Sequence, residues 1–375
     1  MLRRSLLTAC FSIFIFFASY SATFFSQGTG DFSTLSNWNT DRGGTGTSPT
    51  ATELTDGTNI FIVQDGHIIT LDQDIDIAGL TVGDGASGTL TIGNSTTALT
   101  MIIQGDLLID AGATLNLGAF AASHFITLQG NLTNDGTLDL HDGFTRLATL
   151  TLAGTINLGG TNTPQLGNVT FQSGTSTALV ALDIEGNVVI ETATTFADGD
   201  FTHTVGGNWT ENGSGQRTGA GTINFDAGIT QQVTTAAVFN NVIFSGGATV
   251  TVNLTGSMTV QGDLTIDNST SVITAVNQTI RGNFTTTAGT SFDASAGTVF
   301  FNGSTAQNID LTGTNTFDNV DFDNGGSANP KTITGNYIAD DRTRIFSDAV
   351  VNDFGGDQNI IVSINLHITG NCNVC

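Results

Sequence analysis

The chain has 375 residues, of which 39% are hydrophobic, and 33 acidic residues face nine basic ones. Phosphate recognition needs clustered Lys and Arg, so this balance excludes nucleic acid as a partner and disfavours anionic membrane surfaces. Gly, Thr, Asn and Asp abound, but the hydrophobic fraction and a recurring Val/Ile/Leu/Phe alternation argue against disorder.

Residues 1–22 read as a signal peptide. Arg3 and Arg4 form a basic start, Leu6 to Ala18 is apolar, and small residues come next at Ser19, Ser21 and Ala22. The apolar run is shorter than the roughly 20 residues that a membrane span needs. Cleavage after Ser21 places Ser19 at the −3 position. Leu7-Thr8-Ala9-Cys10 superficially matches a lipoprotein cleavage box, yet the apolar stretch continues through Phe11 to Phe17, so that cut would halve it. With Arg3 and Arg4 removed, seven basic residues remain, a net charge of −26, and the one lysine is Lys331. Such a charge suits an exported protein that meets Ca²⁺ or neutral glycans. No later segment is long and apolar enough to insert into a bilayer.

Residues 23–65 differ from the rest of the mature chain and are expected to form an N-terminal cap with the first strands. A stack of strands needs its first edge covered. Trp38, then Pro49, then Ile60-Phe61-Ile62-Val63, then Gly66-His67-Ile68-Ile69-Thr70-Leu71-Asp72 resembles the opening of large secreted β-helix surface proteins of Gram-negative bacteria. The resemblance extends over nearly the whole mature chain, through structural motifs of modest specificity. It implies an extracellular or cell-surface place and an adhesin-like or scaffold role, and it supplies no active site.

From residue 66 to 370 the chain repeats. Gly, then Asn or Asp, then an apolar residue recurs at Gly105-Asp106-Leu107, Gly130-Asn131-Leu132, Gly186-Asn187-Val188, Gly207-Asn208-Trp209, Gly262-Asp263-Leu264, Gly282-Asn283-Phe284 and Gly335-Asn336-Tyr337. Two companion phrases interleave, Gly-Thr-Ile-Asn-Leu (from Gly154) and Asn-Val-Thr-Phe (from Asn168), each with later variants. Together they return every 14 to 25 residues, and Gly130, Gly207 and Gly282, spaced 77 and 75 apart, suggest a longer unit of three or four turns. Leu138-Asp139-Leu140 and Leu264-Thr265-Ile266 alternate as half-buried strands do. Outside the signal no stretch carries a helical stripe. Gly and Asn are expected to supply left-handed corners, and Asn187 and Asn208 to stack as an amide ladder.

Strands this short bury a core only by stacking. The expected fold is therefore all-β, a right-handed parallel β-helix (β-solenoid) with turns of about 20 residues, about 17 turns and a rod of about 80 Å. A string of immunoglobulin-like sandwiches is the competing fold. The finer repeat, the missing Cys-Trp-Cys core and the lack of Pro-rich linkers disfavour it.

Two charged clusters stand out as binding candidates. Asp72, Asp74 and Asp76 alternate along Leu71 to Ile77, which on one strand spaces the carboxylates about 7 Å apart. Such an oxygen-rich face suits Ca²⁺, provided neighbouring turns add ligands; as a plain solvent face it needs none. Asp340-Asp341-Arg342-Thr343-Arg344 is the one cluster with both signs. It reads either as a patch for sugar or carboxylate, through Asp340, Asp341, Arg342 and Arg344, or as a solvated loop with a surface ion pair. No cofactor motif is present, and Ca²⁺ is the one ion the sequence leaves room for.

The five histidines lack metal spacing, and neither a nucleophile elbow nor a phosphate loop occurs. His67 reads as a turn residue, and Trp209, Phe244, Phe301 and Phe322 as core stacks. Cys372 and Cys375 fit half a zinc site or a local disulfide. Residues 371–375 are expected to begin a further region of a longer chain. The functional expectation is a non-enzymatic stalk or display scaffold whose partners are glycans or other surface proteins. A polysaccharide lyase or hydrolase on the same scaffold, which would need paired carboxylates over a cleft, and a calcium-stiffened surface-layer component are the alternatives.

Overall fold

The computed structural model describes residues 21–93, 96–119, 122–141, 146–234, 236–248, 250–323, 330–335, 337–345, 350–352, 360–362 and 365–368. Residues 1–20, most of the expected signal peptide 1–22, and Cys372 and Cys375 lie outside them. The chain winds as a parallel β-solenoid with three faces, visited in turn. Ile60–Val63, Ile68–Leu71 and Ile75–Ile77 make one circuit, and Gly79–Val82 lands beside Ile60–Val63 to begin the next.

Most strands have only two to six residues, so each depends on the rungs above and below for its hydrogen bonds. Turn length varies, with equivalent corner residues 19 to 26 positions apart. Among the described residues the second face stacks fifteen strands, from Gly30–Asp31 to Val350–Asn352. That is fewer than the seventeen turns expected, because turns in the first third reach 25 or 26 residues. At the usual strand spacing the face is about 70 Å long. From Ser291–Phe301 onward the first and third faces run together, and single strands turn the corner through register shifts at Ala294/Thr298 and Phe317/Asn319.

Inward positions stack in columns. Phe61, Leu80, Leu107, Leu132 and Leu158 pair rung to rung and are at most 3% exposed. Trp209, Phe244, Phe301 and Phe322 are buried in the same way, and Phe225 stacks on Phe244 with ring centres 5.3 Å apart. At the N-terminal end Trp38–Asn39 pairs antiparallel with Thr23–Ser26 and covers the outer edge of the first face. Phe24, Phe32, Trp38 and Phe61 fill the interior beneath it, and the Trp38 indole donates to the Phe32 carbonyl at 2.9 Å.

The Gly-Asn/Asp phrase has a physical role that its composition obscured. Of the phrase glycines Gly335 is in the left-handed region, as expected, but Gly105, Gly130, Gly186, Gly207, Gly262 and Gly282 are not; Gly66, Gly112 and Gly289 at other corners are. The phrase glycines are needed for close approach. Gly130 donates to Gly105, Gly207 to Gly186 and Gly282 to Gly262 at 2.9–3.0 Å, and a Cβ on Gly130, Gly207 or Gly282 would collide with the backbone below.

The Asx residue next to it forms a ladder, though not of amide on amide alone. Its side-chain oxygen accepts the backbone N–H of the equivalent residue one turn later: Asn168 from Asn187 at 3.0 Å, Asn187 from Asn208 at 2.8 Å, Asn208 from Gln232 at 2.8 Å. The longer period is not a structural unit. Gly130 leads into a strand of the first face, Gly207 of the third and Gly282 of the second, so each recurrence opens a different face.

Replacing Asn187 by Ala is expected to leave the coil folded while the Asn208 amide loses about 1 kcal/mol of protection. Hydrogen exchange resolved at Asn208 checks this, and an unchanged rate there would remove the ladder from the account of stability.

Candidate functional site

The three aspartates do not share a strand. The strand Ile68–Leu71 ends at Leu71, a new one begins at Ile75, and residues 72–74 form the corner between two faces. Asp72 reaches back to the cap, accepting the Ser33 N–H at 2.9 Å and its hydroxyl at 2.6 Å. Asp74 accepts the Thr100 N–H of the next rung at 2.8 Å, and Asp76 the Gln104 side-chain amide at 2.8 Å. The expected row of carboxylates is thus split by a corner that the Leu-Asp-Gln-Asp-Ile alternation did not reveal. Among the described residues no group of three or more His, Cys, Asp or Glu is placed to hold a metal.

The Asp340 cluster is also rearranged. It is part of the strand Tyr337–Ile345 rather than a loop. Arg342 and Arg344 point to Asp321 of the preceding rung, a fully buried carboxylate that the sequence did not single out. Arg344 is its direct lateral neighbour. Asp340 and Asp341 stay exposed, beside the register shift. The structure therefore brings Arg342 and Arg344 together and leaves the two aspartates apart from them.

Two interior centres went unseen in the sequence. The first surrounds Arg217, whose guanidinium is buried against the Asp198 carboxylate, donates to the Gly221 carbonyl at 2.8 Å and lies 5.7 Å over the Phe239 ring. His203 donates from Nε2 to the Asp198 carbonyl and accepts the Leu182 N–H at Nδ1, which fixes its neutral tautomer. Burial lowers its pKa further. Burial also pushes the Glu211 carboxyl up, against the hydrogen bond it accepts from the Trp209 indole at 3.0 Å. Gln216-Arg217-Thr218 reads as a polar turn, and only strand alternation, which places Arg217 inward, signals otherwise.

The second is a set of inward polar residues spread over the three faces, each two positions before a buried aliphatic: Gln231, Gln278, Gln307 and Lys331. Gln231 donates to the Val205 and Gly207 carbonyls, both at 2.8 Å. Gln307 donates to Ile280 and Gly282 and accepts from Gly303. Lys331 pairs laterally with Gln307, and its ammonium donates to the Gly303 carbonyl at 2.8 Å. These side chains bond backbone groups at corners and strand ends, the Gly207, Gly282 and Gly303 carbonyls among them. Burial lowers the Lys331 pKa to about 8, partly opposed by Asp323.

On the surface, a pocket of about 420 Å³ at the cap is lined by Gln27, Arg42, Gln64, Asp65, His67 and Asp84. The Ser26 hydroxyl accepts the Gln64 N–H at 2.8 Å and bonds His67 Nδ1 at 2.7 Å. Ser26 itself is fully buried, so it positions His67 and offers no accessible nucleophile. The His67 N–H closes a turn on Gln64 at 3.1 Å, and Arg42 pairs with Asp84.

On the second face a shallow trough runs along the long axis. It consists of two adjoining hollows of about 400 and 250 Å³ that share Asp263 and Thr265. No family model matches the chain, and no curated protein or solved structure matches it.

Replacing Arg217 by Met is expected to cost about 3–5 kcal/mol by leaving Asp198 buried and unpaired, and Asp198→Asn added to it to recover part of that loss. Thermal melts of the single and double variants check the pair. Lys331 gives a pH test. Its folded pKa is lower than its unfolded value, so the unfolded chain holds the extra proton between pH 8 and about 10.5, and stability rises with pH through that window. Lys331→Gln, which matches its lateral neighbour Gln307, is expected to remove this contribution. Denaturation midpoints of both proteins across that range measure it.

Proposed function

We propose that this chain is exported and serves as a non-catalytic solenoid rod, a stalk or display scaffold at the cell exterior with an adhesin-like role. The observation that carries this reading is the use made of polar side chains. Corner Asn and Asp residues bond the backbone of the next rung, inward Gln and Lys residues close corners, and Arg342 and Arg344 neutralise a buried carboxylate. Groups that a lyase or hydrolase would converge on a cleft are here distributed along the coil. The cap pocket holds carboxylates at Asp65 and Asp84. Asp65, however, accepts three backbone N–H groups of the loop at 84–87, and Asp84 is paired with Arg42.

The signal-like N-terminus and the resemblance of the cap region to secreted β-helix surface proteins support the location. The excess of acid supports partners that are neutral glycans or other surface proteins rather than polyanions. Stiffness is a consequence of the architecture, since every rung is bonded to two others along the axis.

The test is incubation of the purified mature chain with a panel of plant, algal and bacterial polysaccharides. Reducing ends and unsaturated uronate absorbance are expected to stay at the level of the protein-free control. An increase in either with any substrate would refute the non-catalytic reading in favour of an enzyme. A parallel melt with and without a chelator is expected to show the same midpoint, because Asp72, Asp74 and Asp76 already have protein donors; a drop would support calcium stiffening instead.

A further inference from the structure

The second-face trough joins two hollows along one Asx ladder. Its first wall is the Asx ladder in its last position. Asn241 accepts the Asp263 N–H at 2.9 Å, Asp263 that of Asn283 at 2.7 Å, and Asn283 that of Asn308 at 2.9 Å. The side chains of Asn241, Asp263 and Asn283 are thereby held at their oxygens. The amide NH₂ groups of Asn241, Asn283 and Asn308 make no bond among the described residues.

The second wall is the neighbouring outward column, where Thr265, Thr285, Asp310 and Thr334 pair laterally in that order. The hydroxyls of Thr265, Thr285 and Thr334 are also unbonded among the described residues. Some outward hydroxyls elsewhere are taken by a neighbouring rung: Thr91 bonds Asn116, Thr204 bonds Asp183 and Thr234 bonds Thr210. The column beside the ladder contains Leu108 on the first face, Val189 on the third and Ile243 on this one. At Asn283 and Thr285 an amide held by the ladder stands beside an unbonded hydroxyl, with the Thr265 hydroxyl one rung before it; Ile243 opens this outward column and Asp310 follows Thr285, at the rung spacing of about 4.8 Å.

We propose that this trough binds a neutral, unbranched polysaccharide strand laid along the rod axis. Its donors and acceptors are mixed, which is what a hydroxyl-rich ligand requires, and the ladder side chains are fixed before binding, so little ordering cost is added. The trough is lined by no basic residue and by two carboxylates, on a mature chain of net charge −26, so polyanions are repelled. A protein partner would need aromatic or apolar anchors, and Ile243 is the one large apolar side chain that lines it outwardly. The ligand would gain contacts with each rung it crosses, so affinity grows with chain length.

This inference rests on the proposed role as an exported adhesin-like rod, and the experiment separates the two. Calorimetric titration of the mature protein uses disaccharides and hexasaccharides of β-1,4-glucan, β-1,4-xylan, β-1,3-glucan and α-1,4-glucan, with hexagalacturonate as the polyanion. At least one neutral hexasaccharide is expected to bind, about tenfold or more tighter than its disaccharide. The variant Thr265→Val/Thr285→Val keeps side-chain shape and strand preference and is expected to bind that sugar about tenfold more weakly, with an unchanged melting midpoint. Three results would each overturn the trough assignment: no neutral hexasaccharide binding at millimolar concentration, equal or tighter binding of hexagalacturonate, or undiminished binding by the double variant. Should the variant melt early, Asn283→Ser, which shortens the other wall, supplies the same comparison. Cleavage of the bound sugar would refute the non-catalytic reading and leave the trough standing; absence of binding without cleavage would do the reverse.

Discussion

Every rung of this coil depends on the same requirement, that the backbone groups of a strand only a few residues long find partners one turn away. A two- to six-residue strand is unstable alone in water, and in a parallel stack it has no hairpin to return through. The chain must therefore close a full circuit and arrive one strand spacing further along. Between strands lie corners, where peptide groups leave the ladder and need other partners. Much of what distinguishes this sequence from a simple run of alternating residues addresses those corners.

Two devices meet that need from opposite sides. On the outside, an Asn or Asp oxygen takes the N–H of the equivalent residue above it, and a glycine just before lets the two backbones touch. On the inside, Gln231, Gln278, Gln307 and Lys331 reach backbone groups, chiefly carbonyls, at corners and strand ends. The cost of an unpaired buried peptide, about 1–3 kcal/mol, is comparable to what burying one aliphatic side chain contributes. A coil with many corners therefore cannot leave them to chance. The rod is held by polar pairing at its edges as much as by the Leu and Phe columns at its centre.

How much of the fold was legible depended on whether the signal was local. Strand alternation and the returning Gly-Asx phrase are local, so the parallel β-solenoid, its turn length and the buried aromatics could be read directly. The role of the phrase glycines could not, because φ in the ordinary region and a close neighbour 20 residues away leave the same letter in the sequence as a left-handed turn. The 75-residue spacing is real but marks no unit. A phrase that returns out of step with the turn moves from face to face, and only the winding shows which face it opens. Asp72, Asp74 and Asp76 misled for a related reason, since alternation continues through a corner that changes which side the residues occupy. Asp321 and Arg217 escaped notice because each gains meaning from a partner one rung away.

The wandering of the phrase also bears on function. If the Asx ladder kept to one corner, its neighbours would always belong to the same face, and the surface beside it would be uniform along the rod. Because it moves, the same structural device meets three different surfaces. The adjacent column contains Leu108 on the first face, Val189 on the third and Ile243 on the second. On the second face it goes on to Thr265 and Thr285, whose hydroxyls have no partner among the described residues. A row that exists to hold the backbone then becomes one wall of a recognition surface without any change in its own chemistry. In a repeat protein whose conspicuous residues build the scaffold, selectivity can arise from where the scaffold motif is placed, and the second-face trough is where placement and free hydrogen-bonding capacity coincide.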